Sequence, residues 1–276
     1  MRLGGQVFLE QHNPEAWAQA LLNAGFTATV CPFQSLEEKD AKYYVAEAKK
    51  HNIVIAEVGA WSNPISPNEK QRKEALQYCK EKLALANEIG AGVCVNIAGS
   101  RAEKWDAPHP DNFNGDTFAL IVDSVRDIID SVKPTQTFYA LEMMPWVYPY
   151  SVDTYYTLLK AIDRPAFAVH FDPVNIVNTP LTYYHTEQLI TDFIHKLGPY
   201  IKNVHAKDIK LQDKLTVHLD EVIPGEGNLN YEVLLTQLSK LTYDVPIIIE
   251  HLHNNEDVSK AATYIRSVAN KLNLSI

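Results

Sequence analysis

FAVHFD, residues 167–172, is a short apolar run that ends on the carboxylate of Asp172. TFYALE ends in the same way on Glu142, VPIIIE ends on Glu250, and IKNVHAKD carries His205 near its end. Short apolar runs of this kind are typical of strands buried on both faces of a parallel sheet. Their spacing, roughly 30 to 45 residues, fits one strand–helix unit each. The pattern therefore predicts successive parallel strands with a polar side chain at each C-terminal end.

The same alternation of apolar strands and amphipathic helices runs along the whole chain. Strands are predicted near 2–8, 27–31, 53–59, 92–98, 137–143, 167–172, 201–207 and 246–250. Helices are predicted in every gap, and the later ones lie near 67–89, 116–131, 151–162, 186–197, 230–241 and 256–272. Strict alternation of eight strands with eight helices predicts a (β/α)₈ TIM barrel, as a single domain over residues 1–276.

Local signals predict where the first two helices begin. Asn13 followed by Pro14 is typical of an N-cap and a first helical position, and Gly25 predicts the end of that helix. Ser35 and Glu38 form the pattern of a capping box, which predicts the start of the second helix.

A doubly wound open sheet is the alternative architecture. That fold commonly carries a glycine-rich phosphate loop after its first strand. The sequence GGQVFLEQHNPE at this position does not match GxGxxG. The barrel is therefore the favoured prediction.

Composition excludes several classes of protein. The net charge of −9 argues against a nucleic-acid surface, which needs clustered lysine and arginine. The three cysteines form no CxxC pair, which indicates a reducing compartment. The N-terminal MRLGGQVFLEQH lacks an apolar signal core, and no segment approaches the roughly 18 apolar residues of a membrane span. A cytoplasmic protein without a nucleic-acid or membrane partner is expected.

The four strand-end residues are predicted to form a metal site. A parallel barrel brings the C-terminal ends of its strands together at one mouth. Three carboxylates and one imidazole then make a hard, oxygen-rich site for a divalent cation. Carboxylates suit Mg²⁺ and Mn²⁺, whereas zinc prefers nitrogen and sulfur ligands. The single imidazole favours Mn²⁺, with Co²⁺, Mg²⁺ and Zn²⁺ as alternatives.

Five motifs resemble those of a known superfamily. They are LEMMP, HFDPVN, VHAKD, PGEGNLNYEVL and IIIEH. With the barrel pattern over the whole chain, they resemble the sugar phosphate isomerase/epimerase superfamily, the xylose isomerase-like barrels. Ketose 3-epimerases, inosose dehydratases and hydroxypyruvate isomerases belong to it. The resemblance implies one divalent metal held by the matching residues of this chain, which are Glu142, Asp172, His205 and Glu250.

The resemblance also implies an activity. It indicates a metal-dependent isomerase or epimerase that acts on a small ketose or related carbohydrate through an enediolate. Epimerases of the superfamily use two glutamates on opposite faces of the sugar, one to remove the proton and one to return it. In this chain they are Glu142 and Glu250. Members often dimerise, so a homo-oligomer is an open expectation.

Two other functions stay open. A lyase that expels a β-hydroxyl from a keto-polyol, as inosose dehydratases do, begins with the same proton removal. A non-catalytic sugar-binding barrel would need no metal, and the complete ligand set argues against it. Endonuclease IV, a more distant relative, uses extra histidines at earlier strand ends. Glu57 and Asn96 stand in those regions here, which argues against DNA repair.

Further side chains near the strand ends are predicted to bind substrate. Aromatic faces at a barrel mouth pack against the apolar face of a sugar and exclude water. Lys207 shares the inward parity of His205, two residues earlier. Asn175 stands where ketose epimerases often have a histidine, and it can still hydrogen-bond a hydroxyl. The full predicted set is Trp61, Trp105, Trp146, Lys207, Asn175 and Glu57.

Overall fold

The computed structural model describes residues 1–10 and 13–276. Within that part of the chain the strands are β1 (Arg2–Gly5), β2 (Ala28–Val30), β3 (Val54–Gly59), β4 (Val93–Asn96), β5 (Phe138–Glu142), β6 (Phe167–Phe171), β7 (Ile201–Ala206), β8 (Asp208–Leu211), β9 (Leu219–Val222) and β10 (Pro246–Ile249). Eight of them close into a parallel barrel in the order β1-β10-β7-β6-β5-β4-β3-β2. The predicted (β/α)₈ TIM barrel is confirmed.

Helices cover the outside of the barrel. They are α1 (Pro14–Asn23), α2 (Ala41–Lys50), α3 (Glu69–Ile89), α4 (Gly115–Val132), α5 (Val152–Ile162), α6 (Pro180–Tyr184), α7 (Thr186–Leu197), α8 (Tyr231–Leu238) and α9 (Asn255–Lys271). The short helix α6 was not predicted; its N-cap Thr179 and Thr182 form a capping box. Within the described residues, no helix is both long and apolar enough to cross a membrane.

Strand β7 shows how a short apolar run carries polar groups into the barrel. Val204 and Ala206 are buried toward the helix layer, whereas Asn203 and His205 have the opposite parity. Asn203 and His205 both contact Glu57, which lies on β3 across the barrel. These polar side chains therefore belong to the barrel interior.

The predicted start of the second helix was wrong. Glu38 Oε1 accepts hydrogen bonds from the backbone N–H groups of Gln34 (2.6 Å) and Ser35 (3.0 Å), and Ser35 Oγ accepts from the N–H of Glu37. These contacts close a turn, and the helix begins only at Ala41. A local hydrogen-bond motif can be satisfied by a turn as well as by a helix.

An antiparallel hairpin, β8 with β9, follows β7 and was not predicted. Asp208, the first residue of β8, links the hairpin to the loop that follows β9. The carboxylate of Asp208 accepts backbone N–H hydrogen bonds of 2.9–3.1 Å from Ile209, Gly225, Gly227 and Leu229. Four such bonds hold the chain close against Asp208, which leaves little room beside Gly227.

Gly227→Ala is expected to destabilise the protein. A Cβ at this position would lie 2.3 Å from Asp208 Oδ1 and 2.4 Å from the carbonyl oxygen of Ile209. Overpacking of this kind costs about 1–3 kcal/mol of the free energy of unfolding, which chemical denaturation measures. Gly115→Ala is the matched control, because a Cβ there meets nothing within 4 Å. Equal stabilities of the two variants would contradict the prediction.

Candidate active site

The four predicted metal ligands meet at the C-terminal mouth of the barrel. Glu142 ends β5, Asp172 follows β6, His205 lies in β7 and Glu250 follows β10. One potential ligand atom from each lies within 4.8 Å of all the others. Apart from Glu250, these residues are at most 3% exposed. The barrel therefore converges four groups that are far apart in sequence.

One ring nitrogen of His205 faces all three carboxylates. Its Nδ1 lies 2.8 Å from Glu250 Oε2 and 3.4 Å from Glu142 Oε1. It lies 3.9 Å from Asp172 Oδ2. His205 Nδ1, Asp172 Oδ2 and Glu250 Oε2 are buried without a hydrogen-bond partner of acceptable geometry among the described residues. Buried polar atoms in this state are costly, and a cation between them would satisfy them. The donor set therefore fits a divalent metal.

Lys207 lies against the same carboxylates. Its Nζ is 2.7 Å from Asp172 Oδ2, 2.8 Å from Glu250 Oε2 and 3.6 Å from Glu142 Oε1. Burial opposes the charge, but the three carboxylates hold the pKa of Lys207 well above its usual range. One ammonium against three carboxylates leaves a formal charge of −2 when these four groups are ionised and His205 is neutral, which matches a divalent cation.

The environments of the two glutamates differ. Burial raises the pKa of Glu142 to about 7, against the opposite effects of His205 and Lys207. Burial also acts on Glu250, but His205 and Lys207 outweigh it and hold its pKa well below the usual range. Asn175 Nδ2 donates a 2.9 Å hydrogen bond to Glu142 Oε1, so this asparagine holds the glutamate in place.

Glu57 lies behind His205. Its Oε2 is 3.0 Å from His205 Nε2 and also accepts a hydrogen bond from Asn203 Nδ2. Glu57 is 4% exposed. A carboxylate on one ring nitrogen fixes the tautomer, which leaves the other nitrogen free for a metal. This contact gives Glu57 a positioning role, and its predicted contact with substrate stays a prediction.

His170 packs beside His205. The two ring centroids are 4.0 Å apart with the planes at 76°. His170 is fully buried, and burial holds its pKa well below the usual value. A neutral ring in edge contact supports the orientation of His205.

A cavity of about 580 Å³ opens above the cluster. Glu142 and Glu250 form part of its wall. Five of the six predicted substrate contacts line it, namely Trp61, Trp105, Trp146, Asn175 and Lys207. Glu57 instead lines a smaller neighbouring cavity. The site thus combines aromatic walls with a polar floor, an arrangement typical of small-molecule binding pockets.

Sequence analysis missed some residues of the site. Gln6 lines the large cavity and follows β1, but the predicted strand extends to residue 8, so the rule that selects polar residues after strands does not reach it. Asn203 contacts Glu57 from within β7 and shares the parity of His205. His251, in the loop after β10, lies 3.5 Å from Glu250 Oε2 and contacts Glu221 of the hairpin at 3.0 Å.

The fold and the site define a barrel with a candidate metal centre at its mouth. The chain belongs to the xylose isomerase-like TIM barrel family, whose profile matches residues 18–268. This confirms the superfamily that the five motifs indicate.

Similar proteins match this chain over most of its length. The uncharacterized protein MJ1311 of Methanocaldococcus jannaschii is 23% identical over 266 residues, which cover 94% of this chain and 81% of that protein. D-psicose 3-epimerase with D-tagatose, from Clostridium cellulolyticum H10, superposes with a TM-score of 0.73 at 14% identity over 100% of both chains. The probable 3-DHS dehydratase AsbF of Bacillus anthracis gives 0.73 at 16% identity over 95% of each chain. At these identities the structural likeness shows the fold alone.

Proposed function

We propose that this protein is a divalent-metal-dependent isomerase or epimerase of a small ketose or related carbohydrate. The observation that carries the proposal is the cluster of Glu142, Asp172, His205 and Glu250, three of whose ligand atoms are buried without a well-directed hydrogen bond, beneath a tryptophan-lined cavity. The epimerases among the structural neighbours support the same reaction class. When bound, the metal supplies Lewis-acid polarisation of the substrate carbonyl. Manganese is the favoured ion.

The chain's own residues then handle the proton. Glu142 and Glu250 both reach the cavity, and they approach the cluster from β5 and β10, which are separated in the barrel by β6 and β7. A sugar held between them presents one face to each carboxylate. One glutamate removes the proton from the carbon beside the carbonyl, which leaves an enediolate, and the other returns a proton to the opposite face.

The other lining residues hold the sugar and exclude water. Trp61, Trp105 and Trp146 offer aromatic faces to its C–H groups. Asn175 keeps Glu142 oriented through its hydrogen bond. The ammonium of Lys207 lies in the same wall and can stabilise negative charge on a substrate oxygen.

Purified protein is expected to contain about one divalent ion per chain. A panel of free ketoses in deuterated water then tests the reaction, since proton transfer through an enediolate incorporates solvent deuterium at the reacting carbon. Purified protein that contains no metal and neither exchanges nor converts any ketose would argue for the non-catalytic sugar-binding barrel.

The second candidate is a dehydratase of a keto-polyol, such as an inosose. The structural likeness to a probable dehydratase favours keeping it. Both reactions begin with proton removal, and only the lyase then loses a β-hydroxyl as water. Ultraviolet absorbance of an enone product distinguishes them, because epimerisation forms no conjugated product.

Lys207→Met is expected to lower turnover while the metal stays bound. The substitution keeps the length of the side chain and removes the only cationic group that contacts the cluster, histidines aside, among the described residues. Loss of one charge-stabilising donor costs about 10²–10³-fold in kcat. Lys210→Met is the matched control, because Lys210 is exposed on β8. Unchanged kinetics on a true substrate would return Lys207 to a structural role.

A further inference from the structure

A second cavity adjoins the candidate active site. Its volume is about 180 Å³, and it shares Gln6, Trp61 and Glu250 with the larger cavity. It is more enclosed, and it extends from Glu250 toward α3 and the turn that follows β2. A space of this size admits several water molecules, and so also the terminal group of a sugar held at the cluster.

The lining of this smaller cavity includes a buried cation, Lys82. The side chain comes from α3 and is 4% exposed. Its Nζ donates to the backbone oxygen and to Oε1 of Gln34, both at 2.7 Å. Within the part of the chain that the structure describes, Lys82 forms no ion pair. A lysine has three N–H donors. The ammonium of Lys82 also lies 5.1 Å from the centroid of the Tyr78 ring, and among the described residues its third N–H has no oxygen acceptor.

The other charges that line the smaller cavity are already paired. Glu57 contacts His205 and Asn203. Glu250 lies 2.8 Å from both His205 Nδ1 and Lys207 Nζ. Lys82 contacts only the two oxygens of Gln34 and the face of the Tyr78 ring, 5.1 Å from its centroid, and a buried charge without a counter-charge is costly. Among the described residues, Lys82 is therefore the one charged side chain of this lining that contacts no oppositely charged group and no imidazole.

We propose that the smaller cavity binds a carboxylate at the far end of the substrate, so that the substrate is an acidic keto-sugar. This inference rests on the proposed function. The reacting carbonyl lies at the metal cluster, and the carboxylate accepts the free N–H of Lys82. A single cation matches a monoanion, whereas a phosphate dianion beside Glu57 and Glu250 would need further donors. Gln34 keeps the ammonium directed into the cavity.

Three probes that differ only at C6 test the inference: D-fructose, D-fructuronate and D-fructose 6-phosphate. Titration calorimetry on metal-loaded protein is expected to show fructuronate binding at least about tenfold more tightly than fructose, because a charge-assisted hydrogen bond contributes this much. If the wild-type protein binds the acid and the neutral sugar with equal affinity, the inference is overturned without any measurement on variants. Tightest binding of the phosphate would overturn the carboxylate assignment.

Two variants distinguish recognition of the substrate carboxylate by Lys82 from a purely structural contact between Lys82 and Gln34. Lys82→Met is expected to abolish the preference for fructuronate over fructose. Gln34→Leu removes one oxygen from Lys82 but leaves its charge, so the preference should survive. A merely structural contact between α3 and the turn predicts that both variants lose thermal stability and that neither alters the preference. Survival of the preference in Lys82→Met would therefore overturn the inference.

Deuterium exchange distinguishes failure of this inference from failure of the proposed function. Metal-dependent exchange into ketoses without any preference for the acid would overturn the carboxylate site and leave the isomerase or epimerase standing. Metal-loaded protein that neither binds nor exchanges any of the three probes would count against both.

Discussion

Asp172→Ala is expected to lose the bound metal and, with it, at least about 10²-fold of turnover, since even changes to groups that only support metal ligands cost 10–100-fold. Asp172 is fully buried among the other ligands, and its Oδ2 has no other hydrogen bond of acceptable geometry in the described residues. Metal analysis of the purified variant beside a ketose assay gives the measurement.

Asp172→Asn makes the test sharper. Asp172 Oδ1 accepts a 3.0 Å hydrogen bond from the backbone N–H of Val174, and an asparagine oxygen can keep it. Asn therefore preserves the turn while it removes the charge. Asp123→Ala, on the exposed face of α4, is the control for unspecific effects. Full metal content and turnover in Asp172→Ala would show that the site is misassigned.

Metal removal should also lower the melting temperature. A ligand that binds only the folded state stabilises it, by about 2.7 kcal/mol at a concentration of one hundred times its Kd. Asp172→Ala should lose this metal-dependent increment, whereas Asp123→Ala should retain it. The comparison uses the same metal concentrations for both variants.

Glu142→Gln and Glu250→Gln are expected to abolish exchange of the carbon-bound proton with solvent. A neutral amide cannot accept a proton, and general acid–base groups contribute about 10²–10⁴-fold to the rate. Turnover in deuterated water should fall by this factor in either variant. In the wild-type protein, mass spectrometry should find deuterium at the epimerised or isomerised carbon. Glu232→Gln, on the exposed side of α8, is the control.

The metal content of the same samples decides how these results are interpreted, because each glutamate is also a proposed ligand. A Gln variant that keeps its metal and loses exchange supports the proton-transfer role. Product formed without solvent deuterium, by metal-replete variants that remain active, would exclude proton transfer. A hydride shift between neighbouring carbons would then become the leading mechanism.

The sequence alone was enough to predict the barrel and to predict that four polar residues lie together at its mouth. Runs such as FAVHFD and VPIIIE are local signals. A strand that is buried on both faces requires such an apolar run at any position in the sheet. A parallel barrel has all its C-terminal strand ends on one side. Knowing that Asp172 and Glu250 end such runs was therefore sufficient to predict that they meet.

Only the tertiary structure decided which groups stand behind and beside that cluster. Glu57 and His205 are 148 residues apart and touch across the barrel interior, where neither strand pattern indicates the partner. Lys82 lies on a helix, and its place at a cavity depends on the packing of α3 against the turn at Gln34. Ser35 and Glu38 show that a local motif can also be ambiguous, because theirs is compatible with a turn or a helix. Local patterns determine where strands end, whereas long-range packing determines what each side chain contacts.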